Sequence, residues 1–269
     1  MPDFYNSIPI TTTTRTICET IGAPCEDAFD KVNPVLKALI NKKLPSGKAD
    51  RVVLYNPDAV ALWLYKKYTS LFTDAVLESD VALPMLSVMP SVTPVCFASM
   101  YTGVMPEIHG IKSYTKPVLK TMTIFDMLIK GGKKPVIIST EGDSISKIFL
   151  ERDMDYFIYE TEEEVNKKAF EVIAEDKYDL VVIYNGNYDG TMHKFGPESK
   201  EAMTELKKNL EYYVELVKYV KEKWAHHNVV YGFLPDHGCH EVDGDCGAHG
   251  LDMTDDMNII HLYGAFSAK

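Results

Sequence analysis

Val229-Val-Tyr-Gly-Phe-Leu-Pro-Asp-His-Gly238 is an apolar run that ends abruptly in a carboxylate, an imidazole and a glycine. A buried strand that delivers ligands to the rim of a sheet has this pattern. Asp236 and His237 are adjacent, so in an extended segment their side chains diverge. The pair can therefore serve two metal ions, or one ion and the groups behind it. Alone it is also the pattern of a simple turn, so its meaning depends on partners elsewhere in the chain.

Outward from this stretch the apolar runs alternate with helical patterns. Arg51-Val-Val-Leu-Tyr-Asn56, Lys134-Pro-Val-Ile-Ile-Ser139, Asp155-Tyr-Phe-Ile-Tyr159, Asp179-Leu-Val-Val-Ile-Tyr184 and residues 258–262 read as strands. Between them, 59–71, 124–129, 162–174 and 199–224 read as helices, with Thr161 as an N-cap ahead of Glu162, Glu163 and Glu164. In the last helix Leu206, Leu210, Tyr213, Val217, Val220 and Trp224 mark one buried face. Strands separated by helices predict an α/β fold: a three-layer α/β/α sandwich with a mostly parallel central sheet. Residues 1–50 read as a helical extension of a catalytic domain over 51–269. The extension has a polar run at Thr11–Thr14, short helices over 16–22 and 28–41, and a turn-rich linker at 42–47. Packing on the core is its expected role, with a homodimer contact as the second reading.

With 269 residues the chain can bury one large core or two modest ones, and 46% hydrophobic content suits a soluble protein. A formal net charge of −11 argues against binding nucleic-acid polymers or anionic membranes. It leaves a phosphorylated substrate open, because bound metal ions invert the local field. The start of the chain has no basic region followed by an apolar one, and no apolar run approaches a membrane span of roughly 18 residues. Five cysteines without a CxxC pair favour reduced thiols. A cytoplasmic protein is expected.

Ligands in open parallel sheets bind beyond the carboxyl ends of the strands, and the candidate residues fall there. Asp58 follows the first strand, although a helix N-cap is its plainer reading. Asp189 and His193 follow the strand at 179–184, and in a helix that spacing puts them on one face. Asp236 and His237 close the next strand, and His249 stands in the loop towards the last one. Three carboxylates and three imidazoles suit two divalent ions, zinc first and manganese second. Cys239 and Cys246 flank this set, but the Asp and His residues suffice without them. Thr93, before Pro94, reads as the start of a helix, where a phosphate is favoured and a metal-bound hydroxyl would be an activated nucleophile.

At these residues the chain resembles the alkaline phosphatase superfamily, and within it the nucleotide pyrophosphatase/phosphodiesterase branch. The resemblance spans about residues 51–265. Thr93-Pro-Val-Cys-Phe-Ala-Ser-Met-Tyr-Thr-Gly-Val-Met-Pro-Glu-Ile-His-Gly-Ile111 is similar to that branch's nucleophile segment. Tyr188-Asp-Gly-Thr-Met-His-Lys-Phe-Gly-Pro197 is similar to its metal segment, and Asp236-His237-Gly238 and His249-Gly250 to the remaining two. The resemblance implies one ion on Asp189, His193 and His249, and a second on Asp58, Asp236, His237 and the Thr93 hydroxyl. It implies hydrolysis of a phosphate ester through Thr93, acting on a small substrate. A phosphomonoesterase, phosphonate hydrolase or phosphate mutase, or a non-catalytic binding protein, are the alternatives. One position departs from the branch. The residue three after the nucleophile is usually an asparagine that donates to phosphate, and here it is Cys96, a poor donor. Lys112 and Asn187 are the candidates to replace it.

Overall fold

The computed structural model describes residues 4–243 and 246–269. Its strands are β1 (Arg51–Pro57), β2 (Val81–Leu86), β3 (Pro135–Thr140), β4 (Asp155–Tyr159), β5 (Leu180–Asn185), β6 (Val229–Phe233), β7 (His240–Val242), β8 (Cys246–Ala248) and β9 (Asn258–Phe266). Seven of them form one sheet in the order β2-β9-β6-β1-β5-β3-β4. The five from β6 to β4 run parallel, while β9 and β2 add an antiparallel edge. β7 and β8 form a separate small hairpin.

Side chains alternate across a strand, and β1 shows the consequence. Val52 and Leu54 enter one apolar cluster, whereas Val53 and Tyr55 enter another on the opposite face. Over the first face lie α1 (Thr12–Ile21), α2 (Pro34–Lys43), α3 (Thr93–Thr102) and α4 (Ile124–Lys130). Over the second lie α5 (Glu162–Glu175), α6 (Asn187–Phe195) and α7 (Lys200–Lys223). The three-layer sandwich is thus present, with β1 at its centre. Among the described residues no helix is long and apolar enough to cross a membrane.

Three sequence expectations need correction. The Thr11–Thr14 run does not precede the helix expected over 16–22 but is largely part of it: α1 begins at Thr12 and its threonines are buried. Thr16 and Thr20 donate to carbonyls one turn back, and Thr14 donates to Met100 O at 2.7 Å, so burial leaves these hydroxyls satisfied. The helix expected over 59–71 is broken into Leu62–Lys67, a 3₁₀ turn at Thr69–Phe72 and Thr73–Leu77. Asp58 does not cap it; Ala61 holds that place without a side-chain bond. β2 was not expected because Pro84 interrupts its pattern, yet Pro84 is tolerated on an edge strand that lacks a full second ladder.

Trp224 closes α7 fully buried, and its indole N–H donates to Ile173 O of α5 at 3.0 Å. Trp224→Ala should cost about 3–5 kcal/mol of stability. A denaturant midpoint unchanged by the substitution would show that this helix end is not part of the cooperative core.

Candidate metal centre

The carboxyl ends of β1, β5 and β6 converge on one place. Asp58 follows β1 directly, fixed by its N–H to Asn185 O at 3.1 Å, and the chain then turns at Ala59 with a φ of 62°. Beyond β6, the Leu234 N–H donates to Tyr55 O, Ser87 Oγ donates to Asp236 O at 2.6 Å, and the His261 ring bonds Pro235 O at 2.8 Å. These contacts hold Asp236 and His237 rigidly, both at 0% exposure. Asp189 and His193 lie one turn apart on α6, and His249 follows β8. Thr93 opens α3 at 3% exposure.

The side chains form two triads, Asp189 with His193 and His249, and Asp58 with Asp236 and His237. Asp189 Oδ1 lies 3.4 Å from Nε2 of both His193 and His249. His237 Nε2 lies 3.3 Å from Asp58 Oδ1, 3.4 Å from Asp236 Oδ2 and 3.3 Å from Thr93 Oγ. The rings of His237 and His249 stack with centroids 4.0 Å apart, so the triads share one space.

Two observations test whether metal ions fit. Asp58 Oδ1, Asp189 Oδ1 and Asp236 Oδ2 are buried without a hydrogen-bond partner, and they are the oxygens that face the imidazoles. Their 3.3–3.4 Å separations from nitrogen are long for a charge-assisted hydrogen bond. They match the edge of about 3.3 Å of a tetrahedron with zinc-like bonds of about 2.0–2.1 Å. The imidazoles are also pre-set: Nδ1 of His193, His237 and His249 each bonds a backbone carbonyl, of Gly247, Gly238 and Ser91, at 2.9 Å. That leaves each Nε2 lone pair for a ligand. The donor set fits.

The electrostatics agree. Burial, then the charge of Asp189, pushes Asp58 up to about 7, against a Tyr184 hydroxyl that donates to Asp58 Oδ2 at 2.5 Å. Burial and then Asp58 raise Asp236 well above the carboxylate range. Burial also raises Asp189, but His193 and His249 outweigh it and hold the group below its ordinary value. His193 rises to about 9 through its bond to Asp189, while burial lowers His237 well below 6.5. Without a cation, then, only part of this carboxylate set can ionise at neutral pH.

Tyr184 could have been suspected from its place one residue before the end of β5; the carbonyls of Ser91, Gly247 and Gly238 leave no sequence signal. The remaining candidates belong to neither triad. Cys96 is fully buried with its Sγ 3.2 Å from Ser87 Oγ. Asn187 turns its amide N–H to Glu205 Oε2 at 2.8 Å, towards a different cavity, and Lys112 is exposed. Cys239 is buried beside the Tyr188 hydroxyl and belongs to neither triad. His240 pairs with Asp256 at 2.7 Å, and His109 bonds Ser99 Oγ at 2.8 Å.

Residues 56–127 match the family described as type I phosphodiesterase / nucleotide pyrophosphatase. That segment holds Asp58 and Thr93. The fold is shared with human ectonucleotide pyrophosphatase/phosphodiesterase 5, at TM-score 0.64 and 14% identity over 80% of this chain and 87% of that one. At that identity the likeness is one of fold. The murine counterpart is similar at TM-score 0.59 and 19% identity, over 72% of this chain and 58% of that one. Phosphonoacetate hydrolase from Sinorhizobium meliloti, solved with phosphonoformate, follows at TM-score 0.53 and 18% identity, over 73% and 59%. The chain therefore spans less than two thirds of the murine and bacterial chains. No curated protein matches it by sequence.

Gly238 is fixed by packing. A Cβ there would lie 2.0 Å from Asp255 O and 2.9 Å from Ala61 Cβ. Gly238→Ala should displace His237 and cost about 1–3 kcal/mol; a thermal melt and metal content equal to wild type would contradict this packing.

The raised groups also set a pH dependence. A folded-state pKa above the unfolded value gives stability that is lost as pH rises through the folded value. Asp58, at about 7, and His193, at about 9, act with the same sign. The metal-stripped protein should lose the Asp58 contribution as pH rises from 3.8 to about 7 and the His193 contribution from 6.5 to about 9, and an added divalent metal ion should suppress the loss of melting temperature. A flat melting profile without metal would contradict it.

Proposed function

We propose that the chain hydrolyses phosphate esters at a two-metal centre, with Thr93 as the nucleophile. The observation that carries this reading is the three unpartnered buried carboxylate oxygens facing imidazole nitrogens, with the Thr93 hydroxyl beside them. Asp189, His193 and His249 would hold one ion, and Asp58, Asp236, His237 and Thr93 the other; zinc suits this nitrogen and oxygen set, with manganese as the alternative. Bound divalent cations supply positive charge that eases ionisation of a hydroxyl and stabilises phosphoryl oxygens.

The chain's own residues do the rest. Thr93 Oγ attacks phosphorus, the P–O bond to the leaving group breaks, and a phosphothreonine forms; water then cleaves it and restores the hydroxyl. Thr93 stands where the α3 macrodipole favours the phosphoryl group. Tyr184 holds Asp58 through one oxygen and leaves the other for a ligand. Cys96, buried against Ser87, is not placed to donate to substrate. Lys112 remains a candidate on the exposed segment after His109.

A small phosphodiester or nucleotide pyrophosphate is the favoured substrate. An inactive threonine-to-alanine variant of the murine relative was solved with AMP, which supports both a threonine role and a nucleotide-like ligand. The bacterial relative's phosphonate ligands give the second reading, a phosphonate hydrolase. The cysteine pattern and the charge support a cytoplasmic setting, and the apolar residues of α1 and α2 in the first core support a packed extension over 1–50.

Thr93→Ala should reduce turnover on the order of 10³-fold or more while leaving two ions bound by elemental analysis. Full activity in that variant would sink the covalent scheme. A panel of p-nitrophenyl mono-, di- and phosphonate esters separates the substrate classes.

A further inference from the structure

The parallel strands place their amino ends on one rim, opposite the rim that carries the metal centre. There Arg51 opens β1, Asp176 lies shortly before β5, and His226 and His227 lie shortly before β6. Asp176 ends α5 in the left-handed conformation, with a φ of 48°. The two histidines follow α7, where the His227 N–H bonds Trp224 O at 2.9 Å and turns the chain.

Successive residues of a regular helix point about 100° apart, yet here both imidazoles face one oxygen. Nε2 of His226 lies 3.3 Å from Asp176 Oδ2 and Nε2 of His227 lies 2.8 Å from it, with ring centroids 4.1 Å apart. Three potential ligand atoms thus gather within 4.8 Å of one another. The other oxygen, Asp176 Oδ1, accepts from Arg51 Nε at 2.8 Å, and Arg51 Nη1 reaches Asp179 Oδ1 at 3.2 Å. Carboxylates that bind metals are commonly hydrogen-bonded by a neighbouring group in this way. Asp179 balances the guanidinium, so the corner keeps the negative charge of Asp176. The C-termini of α5 and α7 add partial negative charge, which favours a cation.

We propose that Asp176, His226 and His227 form a separate zinc site, with water completing the tetrahedron. Zinc accepts two imidazoles and a carboxylate, whereas calcium and magnesium seek oxygen ligands. The 3.3 Å separation at His226 is long for a charge-assisted hydrogen bond and matches the edge of about 3.3 Å of a zinc-like tetrahedron. The side chains of His226, Asp176 and His227 are 63%, 29% and 17% exposed, so an ion reaches them from solvent. Bound there, it pins the ends of α5 and α7 to each other and, through Arg51, to the start of β1. It stands on the rim away from Thr93, so its part is to stabilise the fold.

Calorimetric titration with zinc chloride tests the proposal on wild type and on His226→Ala, whose imidazole is mostly exposed, each first loaded with zinc and desalted. Wild type should take up one equivalent more than His226→Ala, and zinc should raise the melting temperature of wild type further. Magnesium chloride should produce neither difference. Asp176→Asn, which tolerates the same left-handed backbone, should weaken the additional site on the order of 10–100-fold. The proposal is overturned by equal zinc uptake in wild type and His226→Ala, by undiminished binding in Asp176→Asn, by magnesium filling the site, or by an equal zinc-dependent rise in melting temperature in both proteins. The readout is a difference between two proteins, so it is the same whether or not the centre around Thr93 holds two ions.

Discussion

Three carboxylates withdrawn from water within one small space set the terms for the rest of the molecule. Asp58 and Asp236 are almost wholly buried, Asp189 lies against them, and each presents one oxygen to no hydrogen-bond donor. Like charges in a poorly solvated site repel strongly, and an unpaired buried carboxylate carries a penalty of several kcal/mol. Among the described residues no lysine or arginine pairs with them. The fold surrounds the carboxylates with imidazoles turned so that Nε2 faces inward, which leaves cations as the groups that complete the balance.

The scaffold maintains that arrangement by distributing it over separate elements. β1, β5 and β6 are neighbouring parallel strands, so their carboxyl ends lie side by side and deliver Asp58, the start of α6 and the Asp236-His237 pair to one rim. The antiparallel edge contributes support rather than ligands: His261 of β9 holds Pro235, and Ser87, just after β2, holds Asp236. The hairpin of β7 and β8 brings His249 back over α6, where Gly247 O fixes His193. Gly247 must be glycine there, because a Cβ would meet the backbone oxygen of Met192 at 2.7 Å.

Much of this was legible beforehand because strand-end ligands leave a clear pattern. Apolar runs stopped by Asp or His identify both the sheet and its rim, and the four-residue spacing of Asp189 and His193 identifies a helix face. Other features were hidden. Pro84 disguised an edge strand, and the polar run at Thr11–Thr14 concealed the start of α1, whose Thr14 hydroxyl bonds Met100 O in the interior. Asn187 looked like a phosphate donor by its closeness to Asp189. Two positions along a helix are about 200° apart in direction, and it faces the Asn185–Asn209 cavity instead.

By itself the sequence determined the layer architecture, the six ionisable ligand candidates and the threonine among them, because residue type, periodicity and order suffice for those. The family resemblance implied how they divide, and only the tertiary structure gave that division its geometry. Separations of 3.3 and 3.4 Å bring Asp58 to His237 and Asp189 to His249 from distant parts of the chain. Distances across a sheet depend on how strands and helices pack, and no local pattern encodes them.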